Sequence, residues 1–266
     1  MSVTAAAPPG NPARRHHGFT LVELAVVLAI IAMMLGGLVV TLSAQVDLQR
    51  ISETRATLEN IREALMGFAA ANGRLPCPAS GASSGQEAFS AGGNALNGNC
   101  SNFYNGFLPA AALGITPTDT SGFALDGWGN RIRYAAAYPT INGVSNPFTR
   151  QDGMKNAGMQ QVESYADSSG LLFVCSAGPL PAGTTATACP GSTNITKKTP
   201  AVIFSAGRNA AMGGTGADEA ANVNGDGVFV THPPTAAGAG GEFDDVVTWV
   251  SLPVLFNRLM TAGRLP

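Results

Sequence analysis

Charge is what this sequence has least of. Of 266 residues only 12% are Asp, Glu, Lys or Arg, about half the usual share of a soluble domain. Ala, Gly, Ser, Thr and Asn fill the positions that charge leaves. Removing residues 1–18, which hold Arg14 and Arg15 and no acid, takes the 15 basic residues to 13 against 17 acidic, a net of −4. With no basic surplus, nucleic-acid binding has no compositional support. Histidine is nearly missing too: His16 and His17 sit near the N-terminus, leaving only His232 downstream. That excludes a histidine-rich metal centre and catalysis by paired histidines. The one Gly-x-Ser-x-Gly spacing, Gly81-Ala82-Ser83-Ser84-Gly85, lies in an irregular Gly/Ser-rich stretch rather than between a strand and a helix, and there is no Gly-Lys-Ser/Thr phosphate loop. Its four cysteines include no C-x₂-C pair of the kind that zinc sites use. Asp244 and Asp245, adjacent on an expected strand, would point to opposite faces and make a poor shared acid–base site. The expectation is a chain that is not an enzyme.

One stretch lacks charge for another reason. In "RRHHGFTLVELAVVLAIIAMMLGG", residues 14–37, and on to Leu42, nearly everything after Gly18 is apolar except Glu23. As a helix, residues 19–42 would span about 36 Å, enough to cross a bilayer. Arg14 and Arg15 precede it with no acid nearby, which keeps the N-terminus cytoplasmic and sends the rest across. A cleaved secretory signal fits poorly, because the apolar run is too long and Leu42 spoils the small-x-small pattern ending at Ala44. A twin-arginine signal fits less well, since His16-His17-Gly18 separates the arginines from Phe19. A simple anchor has no use for Glu23, because a carboxylate inside a bilayer is costly and needs a partner.

Gly18-Phe19-Thr20-Leu21-Val22-Glu23 resembles the processing site of type IV prepilins and of type II secretion pseudopilins, and the likeness extends over residues 14–71. The resemblance implies that a membrane prepilin peptidase cuts after Gly18 on the cytoplasmic side and methylates the new N-terminus at Phe19. Gly18 offers no side chain to obstruct a narrow cleavage site. The cationic amine of Phe19 on a neighbouring subunit is then the expected partner of Glu23, so that pairing on assembly relieves an otherwise costly buried charge. Many pilins carry a helix-breaking proline in the second half of this segment. Here that stretch reads Leu38-Val39-Val40-Thr41, and only Gly36-Gly37 weakens it. In a bilayer such glycines serve close packing more often than unwinding.

Beyond the membrane the helix should continue to Asn72, with Leu48, Ile51, Leu58, Ile61, Leu65 and Phe68 forming one apolar stripe. Asn72-Gly73-Arg74-Leu75-Pro76 reads as its stop. Gly-Arg-Leu-Pro returns at 263–266, after the short amphipathic helix expected in "SLPVLFNRLMTA". Strand-like runs appear at Arg131–Tyr138, Leu171–Cys175, Ala201–Ser205, Gly227–Thr231 and Asp245–Ser251. The expected class is α+β, a pilin-like fold in which one long N-terminal helix packs on an antiparallel sheet. The expected divisions are a cleaved leader (1–18), a transmembrane and assembly helix (19–42), the amphipathic half of the helix (43–72) and an exported head (73–266). "LDGWGNRIRY" at 125–134, Ser205–Asn209 and Asp244–Trp249 also resemble pseudopilin segments. Turns feeding strands, with Trp128 and Trp249 in the core, account for most of that likeness.

All four cysteines follow the apolar segment and so face an oxidising compartment. Of the three pairings open to them, proximity favours Cys77–Cys100 and Cys175–Cys189. "NVNGDG", 222–227, matches the first half of a calcium loop through Asn222, Asn224 and Asp226. Asn222 replaces the usual aspartate there, and Pro233 stands where the bidentate glutamate belongs, so plain Asn-Gly and Asp-Gly turns are favoured. Asp218, Glu219, Glu242 and Asp244 would complete a calcium site only if the fold gathers them. No other cofactor is expected.

The functional expectation is a minor pilin of a type IV pilus, since a head over 73–266 is large for an abundant shaft subunit. A type II secretion pseudopilin is the rival within the class. A membrane-tethered periplasmic binding protein or enzyme is the rival outside it, and such a protein would need neither Gly18 nor Glu23. Expected partners are other pilin or pseudopilin subunits through the N-terminal helix, prepilin peptidase and an inner-membrane assembly platform. The expected location is the inner membrane, single-pass, followed by a periplasmic or cell-surface filament.

Overall fold

No proline interrupts the chain from Leu21 to Asn72, and this stretch forms one α-helix, α1 (Leu21–Asn72). The computed structural model describes residues 20–165, 169–179, 184–212, 216–236 and 241–266, with the side chains of 35–44 and 212 outside that description. Contacts divide the chain into two units, Met1–Leu48 and Gln49–Pro266.

In the second unit, α1 buries Thr54, Leu58, Ile61, Leu65 and Ala69, a stripe at spacings of four and three. Ile51 and Phe68 are half-buried, whereas Leu48, in the first unit, is 67% exposed. On the outer surface Glu59 pairs with Arg62 at 2.7 Å and Glu63 with Arg258 at 2.8 Å. The helix stops as the sequence indicates. Gly73 takes φ +69°, a conformation that costs a glycine little, and its N–H bonds the Ala69 carbonyl. Arg74 then forms a buried two-pronged pair with Glu87, and Leu75 enters the core. The second Gly-Arg-Leu-Pro repeats the left-handed glycine and the buried leucine, but Arg264 reaches back to the Ala70 and Ala71 carbonyls at the end of α1.

After α1 come β1 (Gly106–Phe107), α2 (Ala110–Leu113), β2 (Arg133–Ala136), β3 (Thr140–Ile141), β4 (Val144–Ser145), α3 (Gly153–Ala157), α4 (Met159–Ser164) and β5 (Leu172–Cys175). There follow β6 (Asn194–Thr199), β7 (Ala201–Ser205), α5 (Ala217–Val223), β8 (Val228–Val230), β9 (Val246–Val250) and α6 (Leu252–Thr261). Strands β1-β2-β7-β9 form an antiparallel sheet, β3 and β4 a hairpin, and β6-β5-β8 a second sheet. The expected all-antiparallel head is therefore only partly realised, because β8 runs parallel to β5. With β6, β7 and α5 between them in sequence, the chain re-enters that sheet in the same direction.

In the main core cluster Leu58, Ile61 and Leu65 of α1 join Tyr134, Ile203, Val250 and Leu255, and smaller clusters form around Phe173 and Val228 and around Val230 and Phe243. Trp128 and Trp249, expected in the core, are half-buried. Disulfides join Cys77 to Cys100 and Cys175 to Cys189, and there is no free cysteine among the described residues.

Candidate functional site

Gly18 and Phe19 lie outside the described residues. Just after them, Thr20 closes the start of α1. Its Oγ1 accepts the Glu23 N–H at 3.2 Å, and its hydroxyl donates to Glu23 Oε2 at 3.5 Å. Thr-x-x-Glu ahead of an apolar run is the mark of a capping box, and reading Glu23 solely as a membrane charge passes over that signal. The carboxylate sits in the first turn of α1, at the positive end of the helix dipole. From Leu21 to Met34 the helix is exposed, and apolar apart from this one acid. Among the described residues no helix is long and apolar enough to cross a membrane. Described side chains of the expected span run only from Thr20 to Met34, about 22 Å of helix against a hydrocarbon core of about 30 Å.

A second constellation lies in the head. Glu219, in the first turn of α5, meets Asp244 and Asp245, with one carboxylate oxygen from each residue within 4.8 Å of the others. The two aspartates were expected to diverge across a strand. They instead precede β9 in irregular backbone, which lets both turn toward Glu219. Glu219 is buried and accepts from Gly216 N–H, Asp244 N–H and the Asn209 amide at 3.0–3.1 Å. Asp245, 5% exposed, accepts the Asn222 amide at 2.7 Å through Oδ2. Asp244 accepts the Arg208 N–H at 3.1 Å, and the Arg208 guanidinium pairs with Glu242. Asp244 Oδ1, Asp245 Oδ1 and Asn209 Oδ1 are buried with no hydrogen-bond partner. Burial first, then the charges of Glu219 and Asp244, push the Asp245 carboxyl up to about 8 against the pull of Asn222. Burial and Glu219 push Asp244 up to about 6. Such a cluster must take up protons or a hard, oxygen-seeking cation.

The 222–227 segment spends its oxygens differently. Asn222 lies in α5, accepts from Val230 N–H at 2.6 Å and donates to Val230 C=O and to Asp245. Asn224 Oδ1 accepts Asp226 N–H, Asp226 Oδ1 accepts Val228 N–H, and Asp226 Oδ2 accepts from Asn224 and Ala186. These are turn-making bonds. Asp218 is held by Gly178 N–H and by His232 at 3.2 Å. Of the four acids that might have completed a site, the fold unites Glu219 and Asp244, and it adds Asp245.

The three short segments at 125–134, 205–209 and 244–249 converge beside this cluster. Asp126 accepts the Trp128 and Asn130 N–H groups through one oxygen and the Ser205 hydroxyl through the other. The Asn130 amide donates to the Gly207 carbonyl at 2.7 Å, and Arg208 reaches Asp244. Gly127 N–H donates to Thr54 Oγ1 at 3.0 Å, tying the same turn to α1. Thr54 was absent from the expected stripe, although its spacing to Leu58 and Ile61 marks it as inward-facing.

No curated protein and no solved structure matches the chain. Residues 13–39 do match the prokaryotic N-terminal methylation motif, so the chain carries at its start the signature of type IV pilins and pseudopilins.

Proposed function

We propose that the chain is a structural subunit of a type IV pilus-like filament, a minor pilin rather than an abundant shaft subunit, and not an enzyme. The carrying observation is the methylation motif over 13–39, running into the unbroken α1 with Glu23 in its first turn. On this reading prepilin peptidase removes residues 1–18 and methylates Phe19. Residues 19–42 hold the subunit in the inner membrane until the assembly platform passes it to neighbouring subunits, and the head has a pilin-like fold. Intact-mass analysis tests this: the mature chain should begin at N-methylated Phe19, and an unprocessed start, or one near Ser43 or Ala44, overturns it.

A second reading, a type II secretion pseudopilin, is favoured by the convergence of residues 126–130, 205–208 and 244 on one another. Disruption of the gene separates the two, through loss of surface pili on one reading and loss of exoprotein release on the other. On either reading we place a structural calcium ion at Glu219, Asp244 and Asp245, where the buried, unpartnered Oδ1 atoms of Asp244 and Asp245 suit a hard cation better than the oxygens of Asn222, Asn224 and Asp226 do.

A further inference from the structure

Three of the chain's four tyrosines meet at one place. Tyr104, Tyr138 and Tyr165 line a cavity of about 870 Å³ at the N-terminal ends of the parallel strands β5 and β8, within the usual size range of small-molecule sites. Tyr138 keeps 39% of its surface exposed while packing on Phe103 and Tyr104, with ring centroids 4.5 and 5.0 Å away. It is a ring held rigidly with surface left uncovered. Gly227 makes room for this floor: a Cβ there would stand 2.6 Å from the Leu171 carbonyl oxygen and 3.3 Å from the Tyr104 ring.

The remaining walls are neutral and rich in hydrogen-bonding groups. Asn99 and Asn146 face the cavity and bond each other at 2.6 Å, and Thr140, Thr185 and Thr187 add hydroxyls. Among the described lining residues there is no lysine, arginine or histidine, and Asp226 is the only charge. Nothing there would compensate a phosphate, sulfate or carboxylate, whose recognition calls for cationic or charge-assisted donors. Both irregular walls are covalently braced. Asn99 adjoins Cys100, bonded to Cys77, and Thr185 to Thr187 lie within the loop closed by Cys175–Cys189. Bracing of this kind lowers the ordering cost of binding.

We infer that this cavity binds a neutral saccharide, with the C–H face of a pyranose on the Tyr138 ring and its hydroxyls on the surrounding amides and threonines. A polyhydroxylated, uncharged ligand with one apolar face is the chemistry that such a lining complements. The inference concerns the head alone and stands whichever filament the chain serves.

The test uses the purified full-length chain in detergent with maltotriose, chitotriose, lactose and glucose 6-phosphate, followed by saturation-transfer NMR and calorimetry. At least one neutral sugar should bind saturably. Tyr138→Ala should weaken it at least about tenfold, whereas Tyr138→Phe, which keeps the ring face, should stay within about threefold. Thr185→Trp alters an exposed rim residue, leaves the core untouched and should also abolish binding. Circular dichroism and disulfide mapping check that each variant folds. Failure of every neutral sugar to bind, binding unchanged in both Tyr138→Ala and Thr185→Trp, or preference for glucose 6-phosphate overturns the inference.

Discussion

Glu23 has local support that does not depend on the assembly role proposed for it. In the isolated chain its backbone and carboxylate meet Thr20, and the helix dipole favours its charge. That local support lowers the cost of holding an acid at the head of an apolar helix before any partner arrives. It also separates capping from assembly. Glu23→Gln keeps a residue suited to the third helical position but cannot neutralise a neighbour's amine. An unpaired charge at bilayer depth costs about 2.5–3.5 kcal/mol, so incorporation into sheared filaments, relative to the inner-membrane pool, should fall at least about tenfold with processing unchanged. Wild-type incorporation of the Gln variant would reduce Glu23 to a helix cap. At the acidic cluster the choice lies between protons and a cation. Asp245 titrates near 8 in the fold against about 3.9 in an unfolded chain. Its folded value is raised, so the stability linked to its proton is complete below about pH 4 and lost as pH rises through about 8. On the proposed reading, calcium at this cluster replaces what the proton supplied. The melting temperature should therefore respond weakly to calcium against EGTA at pH 5 and strongly at pH 8, and Asp245→Asn should remove the calcium response and flatten the pH slope between about 6 and 8, leaving the part due to Asp244. A calcium shift of equal size at both pH values would show that the ion binds elsewhere.

At the scale of elements, what could be read from sequence was what local periodicity and turn chemistry dictate. The α1 stripe from Leu58 onward, the stop at Gly73, and the strand at Ala201–Ser205 follow from spacing and punctuation alone. Strands β1, β3 and β4, two residues each, are too short to leave a pattern and exist because neighbouring chain pairs with them. The polar run Asn194–Thr199, absent from the expected strands, forms the outer strand of the second sheet, where water can solvate one face. Glu219 and Asp245 are far apart in sequence, and only the meeting of α5 with the approach to β9 makes a site of them. Each disulfide closes a segment with little regular structure of its own, over sequence separations of 23 and 14. Loops of this size contribute about 3 kcal/mol each in the chain-entropy view. Reduction should lower the denaturation midpoint and abolish near-ultraviolet circular dichroism from the tyrosine cavity, while the far-ultraviolet signal of α1 persists. Loss of the helical signal in step with the tertiary one would mean that α1 depends on the bridged loops.

Across the whole molecule, the first sheet is assembled from distant parts of the chain: β7 lies between β2 and β9, and Ala201 faces Ala136 on one side and Val250 on the other. The inward stripe of α1 shares its cluster with Tyr134, Ile203, Val250 and Leu255. A chain delivered N-terminus first thus releases its most apolar helix early and the surfaces that cover it late. Folding that awaits long-range strand pairing is slow, and the uncovered stripe is an aggregation hazard meanwhile. Deleting residues 246–266 should strip β7 of one partner and the stripe of Val250 and Leu255, leaving a head that limited proteolysis degrades instead of trimming. A protease-resistant head without those residues would show that they merely decorate a finished core. If they do not, time becomes part of the design: between the emergence of Leu58 and that of Leu255 the chain depends on some other agent to keep it from its own kind.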